Sequence, residues 1–93
     1  MLRRKIGLRE VRSLQQGTTI WDSAVVGFGA RRQIGDAVSY FLKYRTEDGR
    51  QRWMTIGRHG SPWTPDMARD RARQILGEVV SGADPSRDRI AKR

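Results

Sequence analysis

Two β-rich segments joined by Asp48-Gly49 constrain the fold of this chain more than any other feature of its sequence. The segments are residues 38–45 and 50–56, and both are rich in aromatic and β-branched side chains. Asp-Gly between two segments of this kind is typical of the tight turn of a β-hairpin. The sequence therefore predicts an antiparallel hairpin over residues 38–56.

The register of this hairpin depends on the length of its loop, and a slip of one residue moves every side chain to the opposite face. A three-residue loop, residues 47–49, with Gly49 in the left-handed conformation gives one face the pairs Tyr44/Arg52, Leu42/Met54 and Tyr40/Ile56. The other face then carries the pairs Arg45/Gln51, Lys43/Trp53 and Phe41/Thr55. A two-residue Asp48-Gly49 turn would pair Lys43 with Met54 and mix polar and apolar residues on both faces. We therefore predict the three-residue loop.

The segments before the hairpin predict a short helix and two further strands. Leu8, Val11 and Leu14 lie three residues apart, as on one side of a helix that Gly17 would end. Residues 18–22 and 27–32 have the composition of brief strands, and the glycines of the second indicate a close backbone approach.

Thr64-Pro65-Asp66 is typical of a helix start, with an N-cap threonine, proline at the first helical position and an acidic first turn. The helix would cover the sheet with an apolar stripe and end near Gly82 and Asp84-Pro85; the stripe is Ala68, Ala72, Ile75, Leu76, Val79 and Val80. Its arginines are predicted to lie on a solvated face balanced by aspartates; they are Arg69, Arg71 and Arg73, with Asp66 and Asp70.

These elements predict an α+β domain over residues 1–83, followed by a charged linker or tail over residues 84–93 toward a region absent from this chain. The domain would be a small antiparallel sheet of three to four strands packed against a long C-terminal helix, with a short N-terminal helix. A chain of 93 residues supports one modest core.

The net charge of +9 indicates a polyanionic partner. Sixteen of the nineteen basic residues are arginine, whose planar guanidinium suits phosphate oxygens and guanine edges. The alternative is a basic protein with no such partner. We expect no membrane partner, because no apolar run approaches the ~20 residues that span a bilayer. No apolar stretch follows the basic start, so no signal peptide is predicted and a cytoplasmic protein is expected.

The sequence offers no set of residues for catalysis. It contains no cysteine, and its single histidine, His59, lies in a turn with no second ligand or nucleophile nearby in sequence. We predict no catalytic residues, no metal site, no cofactor and no small-molecule substrate, and a structural or solvent-exposed His59.

The polar face of the hairpin is the candidate DNA-binding surface. A two- or three-stranded β ribbon fits the major groove, which is about 12 Å wide. Lys43 and Arg45 share a face, and Trp53 opposite Lys43 would pack on sugar or a thymine methyl, or shield the stem of Lys43. Of the neighbours Arg31 and Arg32, only one can share that face. The alternative is a solvated strand with Trp53 in a small hydrophobic cluster.

The order of these elements resembles the N-terminal arm-type DNA-binding domain of tyrosine-recombinase integrases from prophages and genomic islands. The resemblance rests on the motifs at residues 27–31, 40–45, 48–50 and 55–57, on the Ala-Arg-rich helix over residues 68–82, and on Asp84-Pro85. It implies a sheet that docks on arm-type sites flanking the recombination core, in a bacterial, nucleoid-associated protein. The catalytic domain of such a recombinase has no counterpart in these 93 residues.

We therefore predict sequence-specific binding of double-stranded DNA by the N-terminal domain of an integrase. Lys43, Arg45 and Gln51 would approach bases, with Trp53 beside them, and the phosphate contacts would be Arg31, Arg50, Arg52 and Thr55. Further partners implied by the resemblance are other integrase subunits or accessory DNA-bending factors.

Two alternatives use the aromatic residues differently. Trp53, Phe41 and Trp63 would form a hydrophobic patch in a protein-interaction module that contacts a neighbouring integrase subunit or accessory factor. The same side chains would stack on bases in a single-stranded nucleic-acid binder.

Overall fold

The computed structural model describes residues 3–82, which form one sheet covered on one face by a helix. The elements are β1 (Arg3–Arg4), α1 (Leu8–Ser13), β2 (Thr19–Asp22), β3 (Phe28–Arg32), β4 (Val38–Arg45), β5 (Gln51–Arg58) and α2 (Pro65–Val80). The strands lie in chain order, and β2 to β5 are antiparallel neighbours. The predicted α+β class is confirmed, with a two-residue parallel strand, β1, added at the β2 edge. The predicted tail, residues 84–93, lies outside the described residues.

The hairpin of β4 and β5 has the predicted three-residue loop. Gly49 adopts a φ of 84°, and its amide donates to the Thr46 carbonyl at 2.9 Å. The Thr46 amide donates to the Arg50 carbonyl at 2.8 Å, so these two residues close the loop. Leu42 lies opposite Met54 and Lys43 opposite Trp53, as predicted. The two-residue turn is therefore excluded.

A β-bulge changes the register farther from the loop. Tyr40 lies opposite Gly57, so the predicted pair Tyr40/Ile56 is wrong. Ile56 is the extra residue and stays buried, which keeps an apolar side chain in the core. The bulge also places Arg58, the last residue of β5, opposite Ser39, two residues beyond the predicted end of the strand.

Helix α2 begins as predicted and covers the apolar face of the sheet. The Thr64 hydroxyl accepts a hydrogen bond from the Met67 amide at 3.3 Å, and Pro65 is the first helical residue. The buried stripe consists of Ala68, Ala72, Ile75 and Val79, packed in one core with residues that include Phe28, Tyr40 and Leu42. The predicted stripe is too wide, because Leu76 is half-buried and Val80 is 83% exposed. Successive helical residues are turned by about 100° around the helix axis, so Val80 lies to one side of the buried stripe that includes Val79.

The N-terminal helix, α1, ends at Ser13, and its buried side chains are not those that the apolar spacing predicted. Val11 is buried and Leu14 packs partly against the core, but Leu8 is 51% exposed. Ile6, just before the helix, is 1% exposed and takes a place in the core. The prediction for Leu8 is therefore wrong, because the chain enters the helix from a buried residue.

Arg69 is buried, which contradicts the prediction that it lies on a solvated face. The side chain is 2% exposed, and its Nη2 lies 3.0 Å from Oδ1 of the equally buried Asp22. Its Nη1 lies 2.8 Å from Oδ1 of Asp66, and its guanidinium also donates to the Ile6 carbonyl. A buried arginine needs this full set of partners, because desolvation without them costs several kcal/mol. The ion pair ties α2 to the end of β2.

The Asp22 carboxylate also accepts hydrogen bonds from the backbone, from the Ile6 amide at 2.9 Å and the Val25 amide at 2.8 Å. Burial alone would raise the pKa of Asp22, but the hydrogen bonds from Arg69 and these amides outweigh it and hold the pKa below the ordinary 3.8. Burial would lower the pKa of Arg69, but its bonds to Asp22 and Asp66 raise it. Both groups are therefore charged in the core.

The side chains of Tyr40 and His59 form a further polar contact. The Tyr40 hydroxyl lies 2.7 Å from Nδ1 of His59, and burial raises the pKa of Tyr40 to about 12. This contact gives His59 a structural partner, in agreement with the prediction for it. Within residues 3–82, no helix is long and apolar enough to cross a membrane, and no group of acidic or histidine side chains could hold a metal ion.

Candidate nucleic-acid interface

The sheet has one face turned away from α2, which we call the open face. Alternation along each strand places every second side chain on it. The register arranges these residues in rows across the sheet, namely Thr19-Arg31-Ser39-Arg58, Trp21-Gly29-Phe41-Thr55, Lys43-Trp53 and Arg45-Gln51. The open face therefore has cationic residues at both ends and aromatic residues between them.

Six of the eight predicted DNA-binding residues lie on this face: Arg31, Lys43, Arg45, Gln51, Trp53 and Thr55. Arg31 occupies it rather than Arg32, whose guanidinium binds the Val11 carbonyl at 2.8 Å and the Leu14 carbonyl. Arg50 lies at the hairpin end, with its Nε 3.4 Å from Oδ2 of Asp48. Arg52 pairs with Tyr44 and therefore points toward the covered side of the sheet.

Three aromatic side chains, Trp21, Phe41 and Trp53, form a cluster at the centre of the open face. Ring centroids lie 5.2 Å apart for Trp21 and Phe41, 5.3 Å for Phe41 and Trp53, and 6.0 Å for Trp21 and Trp53. Gly29 makes room for it, because a Cβ there would stand 2.7 Å from the Phe41 ring. The close backbone approach predicted for the glycines of residues 27–32 is confirmed as well, because a Cβ at Gly27 would clash with the Lys43 carbonyl oxygen and one at Gly29 would stand 3.0 Å from the Ile20 carbonyl oxygen. We call Trp21, Phe41 and Trp53 the aromatic cluster.

Lys43 extends over the aromatic cluster. Its Nζ lies 5.5 Å from the Trp53 ring centroid and 5.8 Å from that of Trp21, within the range of a cation–π interaction. The two indoles thus hold the ammonium beside an apolar surface while leaving its three N–H donors available.

The cations of the open face carry no counterion among the described residues. Within residues 3–82, no carboxylate lies within ion-pair distance of Arg31, Lys43 or Arg45. Arg31 and Arg45 are exposed at opposite ends of the face, and Arg58 is exposed in the same row as Arg31. The positive charge of this face is therefore available to an external anion.

A shallow groove of about 380 Å³ lies beside the aromatic cluster on the open face. Its walls are the three rings together with polar residues that include Thr19, Arg31, Ser39 and Thr55. A group that enters this groove meets aromatic carbon on one side and hydrogen-bonding side chains on the other.

Trp21 and Arg58 lie on this face although neither was among the predicted site residues. Trp21 alternates with the buried Ile20 and Asp22, and this period of two was a usable indication that it faces outward. Arg58 reaches the face only because of the bulge at Ile56, which no local motif indicates.

Trp63 does not belong to the exposed patch predicted for the protein-interaction alternative. Its indole occupies the space where a Cβ of Gly57 would lie, and it packs partly against the core. Trp21, instead of Trp63, lies beside Trp53 and Phe41.

A protein-family model described as an arm DNA-binding domain matches residues 5–92 of the chain. The match confirms the resemblance on which the sequence interpretation relied. Comparison with curated proteins and with solved structures found no match.

Proposed function

The chain belongs to the arm DNA-binding domain family and is a DNA-binding domain, and from this premise we propose that it binds double-stranded DNA sequence-specifically through the open face of its sheet, in the major groove. The observation that carries the proposal is the arrangement of that face. Cations for which residues 3–82 supply no counterion lie at its two ends, and hydrogen-bonding and aromatic side chains lie between them.

The dimensions of the open face suit this mode of binding. Ser39 and Arg45 are six residues apart on β4, which corresponds to about 20 Å at 3.4 Å per residue. The major groove is about 12 Å wide. The centre of the face can therefore enter the groove while the rows of Arg31 and Arg45 reach the phosphates on its two sides.

The position of each side chain supports a proposed role for it. Lys43 lies in the row beside the aromatic cluster, where base edges come within reach, whereas Arg45 and Gln51 form the row nearest the loop, where we propose that they contact the outermost bases or the phosphates beside them. Arg31, Thr55 and Arg58 would contact phosphates, which fix the orientation of the domain without reading sequence. Arg50, at the hairpin end, remains a proposed phosphate contact, and Arg52, which points toward the covered side, would reach a phosphate only around the β5 edge of the sheet.

The DNA sites that we propose are arm-type sites, to which this domain would direct a complete integrase. Such a protein would be a tyrosine recombinase of a prophage or genomic island, acting in the bacterial cytoplasm at the nucleoid. Residues 84–93 would then link the domain to the rest of the recombinase, and other integrase subunits or DNA-bending factors would be further partners.

Titration of duplex and single-stranded DNA at several salt concentrations tests this proposal. If about five phosphates are neutralised, the slope of log K against log salt is about −4.5 for the duplex. Arg31→Ala and Lys43→Ala should each weaken binding to the duplex, whereas Arg71→Ala on α2 is the control with little effect. Equal binding by all variants would contradict the use of the open face, and preference for single strands would favour stacking by the aromatic cluster instead.

A second candidate function is supported by the exposure of the aromatic cluster. Trp53 is 55% exposed, and aromatic residues of this kind are frequent centres of protein interfaces. The cluster would then contact an integrase subunit or an accessory factor, and that association would persist at high salt while DNA binding is lost.

A further inference from the structure

We propose that the aromatic cluster recognises thymine through its C5-methyl group, with the Lys43 ammonium directed at the neighbouring O4 oxygen. The inference rests on the proposed function, because it requires the open face to enter the major groove. It assigns a specificity role to Trp21 as well as to Trp53.

The aromatic cluster is an apolar surface within a face that otherwise binds polar groups. Trp53 is 55% exposed and its ring lies 5.3 Å from that of Phe41, so the exposed carbon is continuous. Base edges in the major groove present donors and acceptors, and the thymine methyl is their one apolar group. Polar edges pressed against indole carbon would lose their hydrogen bonds, whereas a methyl group there removes apolar surface from water. Thymine is therefore the base that fits this surface.

Lys43 completes the match to thymine. Its Nζ is held 5.5 Å from the Trp53 centroid and 5.8 Å from the Trp21 centroid, so a donor stands directly beside the apolar surface. Thymine displays the O4 acceptor next to its C5-methyl group. One base can thus satisfy both the ammonium and the rings.

The groove beside the aromatic cluster provides the space for the methyl group. Trp21, Phe41 and Trp53 all line it, and its opposite wall is polar. A methyl group seated there contacts ring carbon, while the sugar and phosphate of the same nucleotide face the polar wall. Because Trp21 comes from β2 and Trp53 from β5, the groove exists only in the folded sheet.

The test compares two alternating duplexes, poly(dA-dT) and poly(dA-dU), which differ only by the thymine methyl group. We expect affinity for poly(dA-dT) to be about fourfold higher, the factor that burial of one methyl group supplies. Trp53→Ala should reduce this ratio to about one, and Trp21→Phe should lower it while retaining an aromatic ring. Arg58→Ala is the matched control, because Arg58 lies on the open face outside the groove, so its loss should weaken binding to both duplexes and leave the ratio unchanged. Circular dichroism verifies that each variant is folded.

The possible outcomes separate this inference from the proposed function. A ratio near one in the unmodified protein, with Arg58→Ala still weakening both duplexes, overturns methyl recognition and leaves DNA binding by the open face intact. A fourfold ratio that survives Trp53→Ala overturns the role of the aromatic cluster. If neither Arg31→Ala nor Lys43→Ala affects either duplex, the proposed function fails, and the inference fails with it.

Discussion

The two faces of the sheet use arginine in opposite ways. On the covered face, Arg69 is 2% exposed and its guanidinium is bound by Asp22, Asp66 and a backbone carbonyl. On the open face, Arg31 is exposed and no carboxylate within residues 3–82 pairs with it. One charge is neutralised by the fold and stabilises it, while the other is left to an external anion. The location of a basic residue relative to the sheet therefore decides whether it contributes to stability or to binding.

Removal of Arg69 should produce the largest change in stability. Arg69→Ala leaves the Asp22 carboxylate buried without its cation, which should lower the free energy of unfolding by about 3–5 kcal/mol. Urea denaturation monitored by circular dichroism measures this change in the free energy of unfolding. The matched control is Arg73→Ala, since Arg73 is 56% exposed and pairs with the exposed Asp70; a change within about 0.5 kcal/mol is expected. Equal effects of the two substitutions would contradict the distinction between buried and exposed arginines.

Leu42 and Lys43 are neighbours on β4 that point to opposite faces, so they test the comparison within one strand. Leu42→Ala should lower the free energy of unfolding by about 2–5 kcal/mol, because Leu42 is fully buried beneath α2. Lys43→Ala should weaken duplex binding and change stability little. Denaturation and DNA titration on both variants measure the two effects. The reverse result would show that Leu42 lies on the open face and Lys43 on the covered face.

Low pH should lower the free energy of unfolding by protonating Asp22 on the covered face. Its pKa is held below 3.8 in the folded chain, so its contribution to stability is complete above the unfolded-state value and is lost as the pH falls through the lowered folded value. The difference in unfolding free energy between the unmodified protein and Asp22→Asn should therefore narrow below about pH 3.8. A difference independent of pH would show that the Asp22 charge contributes nothing.

Arg58 should produce the smallest of these effects, and only on binding. If it contacts one phosphate, Arg58→Ala should make the slope of log K against log salt less steep by about 0.9 and leave stability unchanged. Arg71→Ala, on α2, should leave the slope as it is. An unchanged slope for Arg58→Ala would place this residue outside the DNA contact.

The sequence was sufficient for features that depend on local patterns. Alternating side chains and Gly49 determined the loop of the hairpin, and Thr64-Pro65 determined the start of α2. The position of Arg69 was beyond such patterns, because its partner Asp22 lies 47 residues away. The bulge at Ile56 has no sequence motif, so neither the Tyr40–Gly57 pair nor the position of Arg58 could be predicted. The sequence around Trp63 does not indicate that this side chain is packed, and only the fold shows that it lies against Gly57.

The indole N–H resonances of the three tryptophans test the central claim most directly. Trp21 and Trp53 lie in the aromatic cluster of the open face, whereas Trp63 packs at Gly57. Addition of a mixed-sequence duplex should shift the first two resonances and leave that of Trp63 nearly unchanged. A shift confined to Trp63, or to amides of α2, would contradict binding of DNA by the open face.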